Sequence, residues 1–258
     1  MIRAMVVCVA SVVGLTLAPL LAEASTLTWG GANTWATNET SNVYTVDGVQ
    51  LTLTLSDPGS ALDPNTQPLA SPGSPSNSSY LDPTGNNGEE SLFLKAPGNS
   101  VGIGLTITFD TLVTSVSFNT YDMDQSPPGN YTDILAVQAQ NVSASGSPFN
   151  PTSVTGNGTE SWFLQANGYT LEANANADQT GGNSANGTAL WLFDAPLDTI
   201  SLTYLNGDPA FGVQWMGLHS IDFQAVPAPV PEPETGTLTA LGILGMALYR
   251  NRERKRSA

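Results

Sequence analysis

The chain has 258 residues and a formal net charge of −15, from 22 acidic and only 7 basic side chains. A protein with so few cations cannot neutralise the phosphates of a nucleic acid, so nucleic-acid binding is excluded. The single cysteine, Cys8, excludes an intrachain disulfide and a cysteine metal site. Stability therefore has to come from a hydrophobic core without cross-links.

The N-terminus has the three parts of a secretory signal peptide. Arg3 supplies a positive charge, residues 5–21 form an apolar segment, and Ala22-Glu23-Ala24 is a small-residue cleavage site. We expect export through the Sec translocon and removal of residues 1–24 by signal peptidase, with Ser25 as the mature N-terminus. An uncleaved membrane anchor is the alternative.

The part between the two terminal segments is more acidic than the whole chain. Residues 25–230 contain eighteen acidic side chains and one basic side chain, Lys95, which leaves a net charge of −17. They include no arginine and one histidine, His219. This composition excludes arginine clamps for anionic ligands. It favours a hydrated surface and affinity for divalent cations or neutral sugars.

Residues 25–228 are predicted to form one all-β domain. Apolar residues alternate with threonine or serine over 49–55, 101–109 and 200–204, which predicts strands. About nine strands joined by Gly, Asn and Pro turns predict a single β-sandwich of the jelly-roll type. Residues 56–80, rich in Pro, Ser and Asp, predict a long flexible surface loop or a disordered insert. The shorter predicted strands are 115–121, 134–139, 161–165, 189–193, 211–215 and 219–225.

An internal repeat is predicted in the middle of the chain. Residues 90–98 and 160–168 are identical at six of nine positions, and a second correspondence relates positions 84 residues apart. We expect two equivalent units, about 84–124 and 155–208, in one sandwich; two separate domains are the alternative. The alignment predicts that four phenylalanines face the core, Phe93 with Phe163 and Phe109 with Phe193.

Acidic and amide side chains recur at equivalent strand ends. Carboxylate and amide oxygens are the ligands that calcium prefers, which makes calcium the one candidate cofactor. Solvated turn residues without a metal are the alternative, because neither an EF-hand nor a calcium-repeat spacing is present. The candidate calcium ligands are Asp122, Asp124, Asn206, Asp208 and Asp222.

Five tryptophans offer flat apolar surfaces on which sugar rings can stack. Trp29 and Trp35 lie in a Gly, Asn and Thr context near the mature N-terminus, so they are the candidates for exposed, glycan-contacting residues. Packing in the core is the alternative for all five.

No catalytic residue is predicted. Without cysteine or arginine, a carboxylate pair of the glycosidase type is the chemistry that remains. Glu90 and Glu160 are better explained as equivalent positions of the repeat. His219 and Ser220 are neighbours on one predicted strand and should point to opposite faces, which argues against a catalytic triad.

The last thirty residues have a different organisation. The extended Pro231-Glu232-Pro233 is followed by the uncharged residues 235–249 and then by a basic cluster. As a helix, the uncharged segment spans roughly 22 Å, which is short for a membrane crossing. The cations should stay in the cytoplasm, leaving the chain before Pro231 outside; a permanent anchor is the alternative. The basic cluster comprises Arg250, Arg252, Arg254, Lys255 and Arg256.

This order resembles the PEP-CTERM sorting signal of exopolysaccharide-producing Gram-negative bacteria. The resemblance is confined to about residues 229–258. It implies recognition by exosortase, a membrane protease-transpeptidase that processes the protein after a transient stay in the inner membrane. The implied role is structural or adhesive, at the cell surface or in a biofilm matrix, with exopolysaccharide as a candidate partner. A secreted carbohydrate-binding or carbohydrate-active, glycosidase-like protein is the alternative.

Overall fold

A computed structural model gives the fold. It describes residues 23–29, 33, 35, 40–56, 92–97, 102–121, 123, 125–126, 131–156, 161–174, 187–207, 213–227, 243 and 246. These ranges contain thirteen strands, all paired antiparallel, so the predicted all-β class is confirmed. The strands are β1 (Ser25–Leu27), β2 (Ser41–Val46), β3 (Val49–Ser56), β4 (Leu92–Pro97), β5 (Ile103–Tyr121), β6 (Gln125–Ser126), β7 (Tyr131–Gln140), β8 (Ser153–Thr155), β9 (Trp162–Leu164), β10 (Thr170–Ala173), β11 (Ala189–Phe193), β12 (Leu197–Asn206) and β13 (Val213–Ala225).

Strict alternation produces the strands that the sequence predicted most clearly. In β3, Leu51, Leu53 and Leu55 are buried while the threonines between them face outwards. β-Branched threonine suits such a half-buried pleated surface. The predicted strands 101–109 and 115–121 are one long strand, β5, and 211–215 and 219–225 likewise merge into β13.

β5 divides the strands into two groups. Its first half pairs with β3 and β12, and its second half pairs with β13 and β11. Between the halves, Ser115 has a φ of 50°, which is uncommon for a residue other than glycine and marks a bend. The larger strand group runs in the order β2, β3, β5, β12, β7, β10, β9. The smaller strand group consists of β1, β4, β13, the second half of β5, β11 and β8.

A single hydrophobic core includes residues from both groups. Phe109 of β5 meets Phe223 of β13 edge-on, with ring centroids 5.3 Å apart. Phe149, which bridges to Ala139 of β7, lies 6.4 Å from Phe193 of β11. Aromatic pairs in such edge-on geometry contribute about 0.5–1.5 kcal/mol beyond the area that they bury.

β11 and β12 together run alongside β5 and repeat its pattern of burial 84 residues later. Phe109 and Phe193 are both buried, as the repeat alignment predicted. The inward positions that follow are buried in both copies as well. They pair Val113 with Leu197, Val116 with Ile200, Phe118 with Leu202 and Thr120 with Tyr204.

The inward position predicted for Phe163 is wrong. Its ring is 48% exposed, because Trp162 takes the core position in the short strand β9 and the next residue then faces outwards. The side chain of Phe93 lies outside the described residues. The first block of the predicted repeat therefore does not place a phenylalanine in the core at Phe163.

Little of the terminal segments falls within the described residues. The predicted signal peptide up to Ala22 and the sorting-signal residues from Pro231 to Arg256 lie outside them, apart from Ile243 and Met246. These two are helical and 58% and 64% exposed. The described part of the chain contains no helix with the length and apolar character needed to cross a membrane.

Candidate functional site

The segments that hold the predicted calcium ligands meet at the start of β7. Gln125 of β6 pairs with Thr132, and its Nε2 donates a hydrogen bond of 2.7 Å to Thr132 Oγ1. On the neighbouring β12, Asn206 pairs with Asp133. The N–H of Gly207 then donates to the carbonyl of Thr132 at 2.7 Å. The backbone thus brings the two predicted acidic pairs towards one strand end.

Calcium binding itself stays a prediction. Asp122, Asp124 and Asp208 lie outside the described residues, and Asn206 is described only as backbone. Asp222 belongs to β13 in the smaller strand group, where it accepts a 2.5 Å hydrogen bond from Thr26 Oγ1. Among the described residues, no three His, Cys, Asp or Glu side chains are grouped so that they could hold a metal ion.

A buried hydrogen bond lies beneath the start of β7. Asp133 and Tyr204 are both fully buried, and the Tyr204 hydroxyl donates to Asp133 Oδ1 at 2.7 Å. Burying a carboxylate is costly unless its oxygens accept hydrogen bonds, so this contact fixes β7 against β12. The sequence analysis missed Asp133. Its signal is an acidic residue at the inward position of a strand that continues with Leu135 and Val137.

A second acidic residue has a structural contact of its own. Asp198 accepts hydrogen bonds from the backbone N–H groups of Val142 and Ser143, each at 2.8 Å, and from Ser143 Oγ at 2.6 Å. Burial raises the pKa of Asp198, but hydrogen bonds from Ser143, Val142 and Thr199 outweigh it and hold the pKa below its usual value. The carboxylate thereby ties the turn after β7 to β12.

The exposure predicted for the two N-terminal tryptophans is wrong. Trp29 is 5% exposed and Trp35 is 3% exposed. Trp29 packs edge-on against Tyr44 of β2, with ring centroids 5.6 Å apart. Their polar sequence neighbours suggested the surface, but the tertiary contacts place both indoles in the core. Neither ring therefore presents the open face that stacking on a sugar requires.

The residues considered for catalysis lie on separate elements. His219 is 9% exposed and packs edge-on against Tyr121, with ring centroids 5.6 Å apart. Glu90 and Glu160 lie outside the described residues. Among the described carboxylates, Asp110 lies at the bend of β5 and Glu172 lies on β10. This arrangement gives no observation in favour of a catalytic pair.

The largest regular surface is the outer face of the larger strand group, which is the face turned away from the core. The strand registers align its side chains in rows that cross the strands. Two of these, here called the hydroxyl rows, contain no charged residue. One hydroxyl row is Val43, Thr52, Thr108, Thr199 and Gln140; the other is Ser41, Thr54, Thr106, Ser201 and Gln138. All ten residues are half-buried or exposed.

The other side of this face is more apolar. Beyond a mixed row of Ser56, Gly104, Thr203, Ala136 and Thr170 lies the aromatic row, formed by Leu205, Ile134, Glu172 and Phe163. Phe163 is the most exposed aromatic side chain of the described part. Its cross-strand partner Glu172 accepts a 2.6 Å hydrogen bond from Gln165 Nε2. An exposed ring thus stands beside an ordered carboxylate–amide pair.

Comparisons with known proteins give no match to this chain. No protein-family model matches it, and no curated protein matches it. The function is therefore inferred from the sequence and from the residues described above.

Proposed function

We propose that this chain is an exported structural or adhesive protein of the cell surface or of an extracellular polysaccharide matrix. The observation that carries the proposal is the tail. Pro231-Glu232-Pro233, the uncharged residues 235–249 and the terminal basic cluster follow one another in the order of an exosortase sorting signal. The Sec translocon and signal peptidase act on the N-terminus, and an exosortase-like enzyme then processes the C-terminus at the inner membrane.

The composition of the exported part supports this role. Its net charge of −17 keeps the domain hydrated and disfavours self-association at the crowded cell surface. The outer face of the larger strand group consists mainly of hydroxyl, amide and methyl groups. Such a surface is compatible with a matrix of hydrated, neutral sugar chains.

The same proposal includes an architecture. The two strand groups are the layers of a jelly-roll-like sandwich, and β5 passes from one layer to the other at its bend. β5 and the β11–β12 segment are equivalent strands of two repeated units, about 84–124 and 155–208. The shared core and the matching burial of positions 84 residues apart support this interpretation.

The sorting proposal is tested by the substitution Glu232→Ala in the producing bacterium. We expect synthesis to continue while the protein accumulates in the membrane fraction with its C-terminal tail intact. The matched control is Glu234→Ala, which removes the same charge two residues beyond the central motif and should be processed like the wild type. Equal processing of both variants, measured by intact mass and cell fractionation, would remove the sorting-signal interpretation.

A secreted carbohydrate-binding protein is the second candidate, and the exposed Phe163 beside Gln165 and Glu172 favours it. A glycosidase-like enzyme would also need two carboxylates on either side of a bound sugar. Carboxylates gathered in one cleft would favour the enzyme, whereas Asp110, Glu172 and Asp222 belong to three different strands.

A further inference from the structure

We propose that the outer face of the larger strand group binds a neutral, hydroxyl-rich polysaccharide, with one sugar ring seated on Phe163. The proposal deepens the matrix role and rests on it for its biological setting. Its chemical basis is independent, because it depends on the outer face and not on the tail.

The charge of the face selects against anionic ligands. Across the hydroxyl rows, the mixed row and the aromatic row, Glu172 is the one ionisable side chain, although the exported part carries eighteen acidic residues. The described acids near the face lie at its margins, with Asp110 beyond Thr108 on β5 and Asp198 at the start of β12. An anionic polymer would meet the surrounding negative field without any cation to receive it. A neutral polymer does not carry this penalty.

The hydroxyl rows supply regular hydrogen-bonding groups. Neighbouring strands lie about 4.8 Å apart and alternate residues of a strand about 6.7 Å apart, so the hydroxyls form a two-dimensional array. Each threonine or serine hydroxyl both donates and accepts, as sugar hydroxyls do. Threonine is stiff at χ1, so ordering it on binding costs less entropy than ordering lysine or glutamate. Its methyl group can pack against sugar C–H groups.

The aromatic row supplies an anchoring position. The Phe163 ring is 48% exposed at the edge strand β9, where a large apolar side chain gains from being covered. The negative face of an aromatic ring attracts polarised C–H groups, such as those on the flat side of a pyranose. The Gln165–Glu172 pair, held at 2.6 Å, places amide and carboxylate groups beside that ring to receive its hydroxyls.

A protein partner fits these observations less well. The exposed large apolar residues of this face are Val43 and Phe163, which lie on opposite edge strands. Protein interfaces instead concentrate their apolar anchors at the centre of a patch. An extended polymer can use separated contacts along its length, so a polysaccharide is the occupant that the face favours.

The test is affinity electrophoresis of the purified full-length protein through gels containing dextran, hydroxyethyl cellulose or galactomannan, with alginate as the anionic comparison. We expect at least one neutral polymer to retard the wild type and alginate to have no effect. Phe163→Ala should raise the apparent dissociation constant about tenfold, because the ring contact is lost. Leu190→Ala, which truncates an exposed apolar residue of β11 in the smaller strand group, should bind like the wild type.

A second pair of variants tests the face without touching the ring. Thr203→Lys places a long charged side chain in the mixed row and should weaken retardation, whereas Thr155→Lys makes the same change on the exposed β8 and should not. Equal binding by Phe163→Ala and Leu190→Ala, or no retardation of the wild type by any of the three neutral polymers, would overturn the proposal. If retardation fails while Glu232→Ala still blocks processing, the site is wrong and the matrix role stands. If retardation holds while Glu232→Ala is processed normally, the sorting proposal is the one that fails.

Discussion

β4 and β9 belong to the two most similar segments of the chain, yet the structure places them in different environments. In β4, Leu92 and Leu94 are fully buried, and the strand pairs with β13 over six residues. In β9, Leu164 is 39% exposed, and the strand pairs with β10 over three residues. The difference shows that neighbouring strands, rather than local sequence, decide which side chains are covered.

The largest expected effect separates these two copies directly. Leu94→Ala should lower the free energy of unfolding by about 2–5 kcal/mol, because it removes a fully buried side chain and leaves a cavity. Leu164→Ala, the equivalent change in β9, should cost less than about 1 kcal/mol, since its side chain is already partly in water. Urea denaturation of both variants measures the difference. Similar losses would mean that β4 and β9 are covered alike.

A smaller effect is expected where the later copies carry different buried polar groups. At the equivalent positions Thr120 and Tyr204, Thr120 Oγ1 accepts from Trp191 Nε1 at 2.9 Å, whereas the Tyr204 hydroxyl donates to Asp133. Tyr204→Phe should cost about 1–3 kcal/mol, because a buried carboxylate loses a donor. Thr120→Val should cost less, because it leaves a neutral N–H group. The comparison of the two free energies of unfolding fails if Thr120→Val is the more damaging change.

The smallest effect concerns acid. Asp198 occupies the position equivalent to Thr114, so the second copy has a titratable group where the first has none. Its pKa is lowered in the folded protein, so the stability that it contributes is present above the unfolded pKa of about 3.9 and is lost as the pH falls through the folded pKa. The Asp198→Asn variant should be less stable at neutral pH and lose less of its stability on acidification. Parallel curves of unfolding free energy against pH would contradict this role.

The fold class was predictable because it depends on a local signal. Alternation of leucine with threonine at Leu51 to Leu55 fixes both the strand and its buried face, and the structure confirms it. The junction between the predicted strands 101–109 and 115–121 was not predictable. The chain bends there at Ser115 and keeps its pairing, so a segment that lacks alternation is still part of β5.

The candidate site was less accessible from sequence than the fold. Trp29 and Trp35 have polar neighbours in the chain, and only the packing of Trp29 on Tyr44 shows that its ring is inside. The outer face depends on the registers between six strands, which alternation alone does not determine. Phe163 shows the same limit, because its similarity to Phe93 in sequence carried no information about what lies beside β9.

The most direct test of the central claim, that this is an exported and sorted matrix protein, is the intact mass of the wild-type chain recovered from each cell fraction. The account predicts a species in the extracellular or cell-surface fraction that begins at Ser25 and lacks the basic cluster from Arg250 onwards. A chain with both terminal segments intact, recovered from the cytoplasm of cells that produce the matrix, would contradict it.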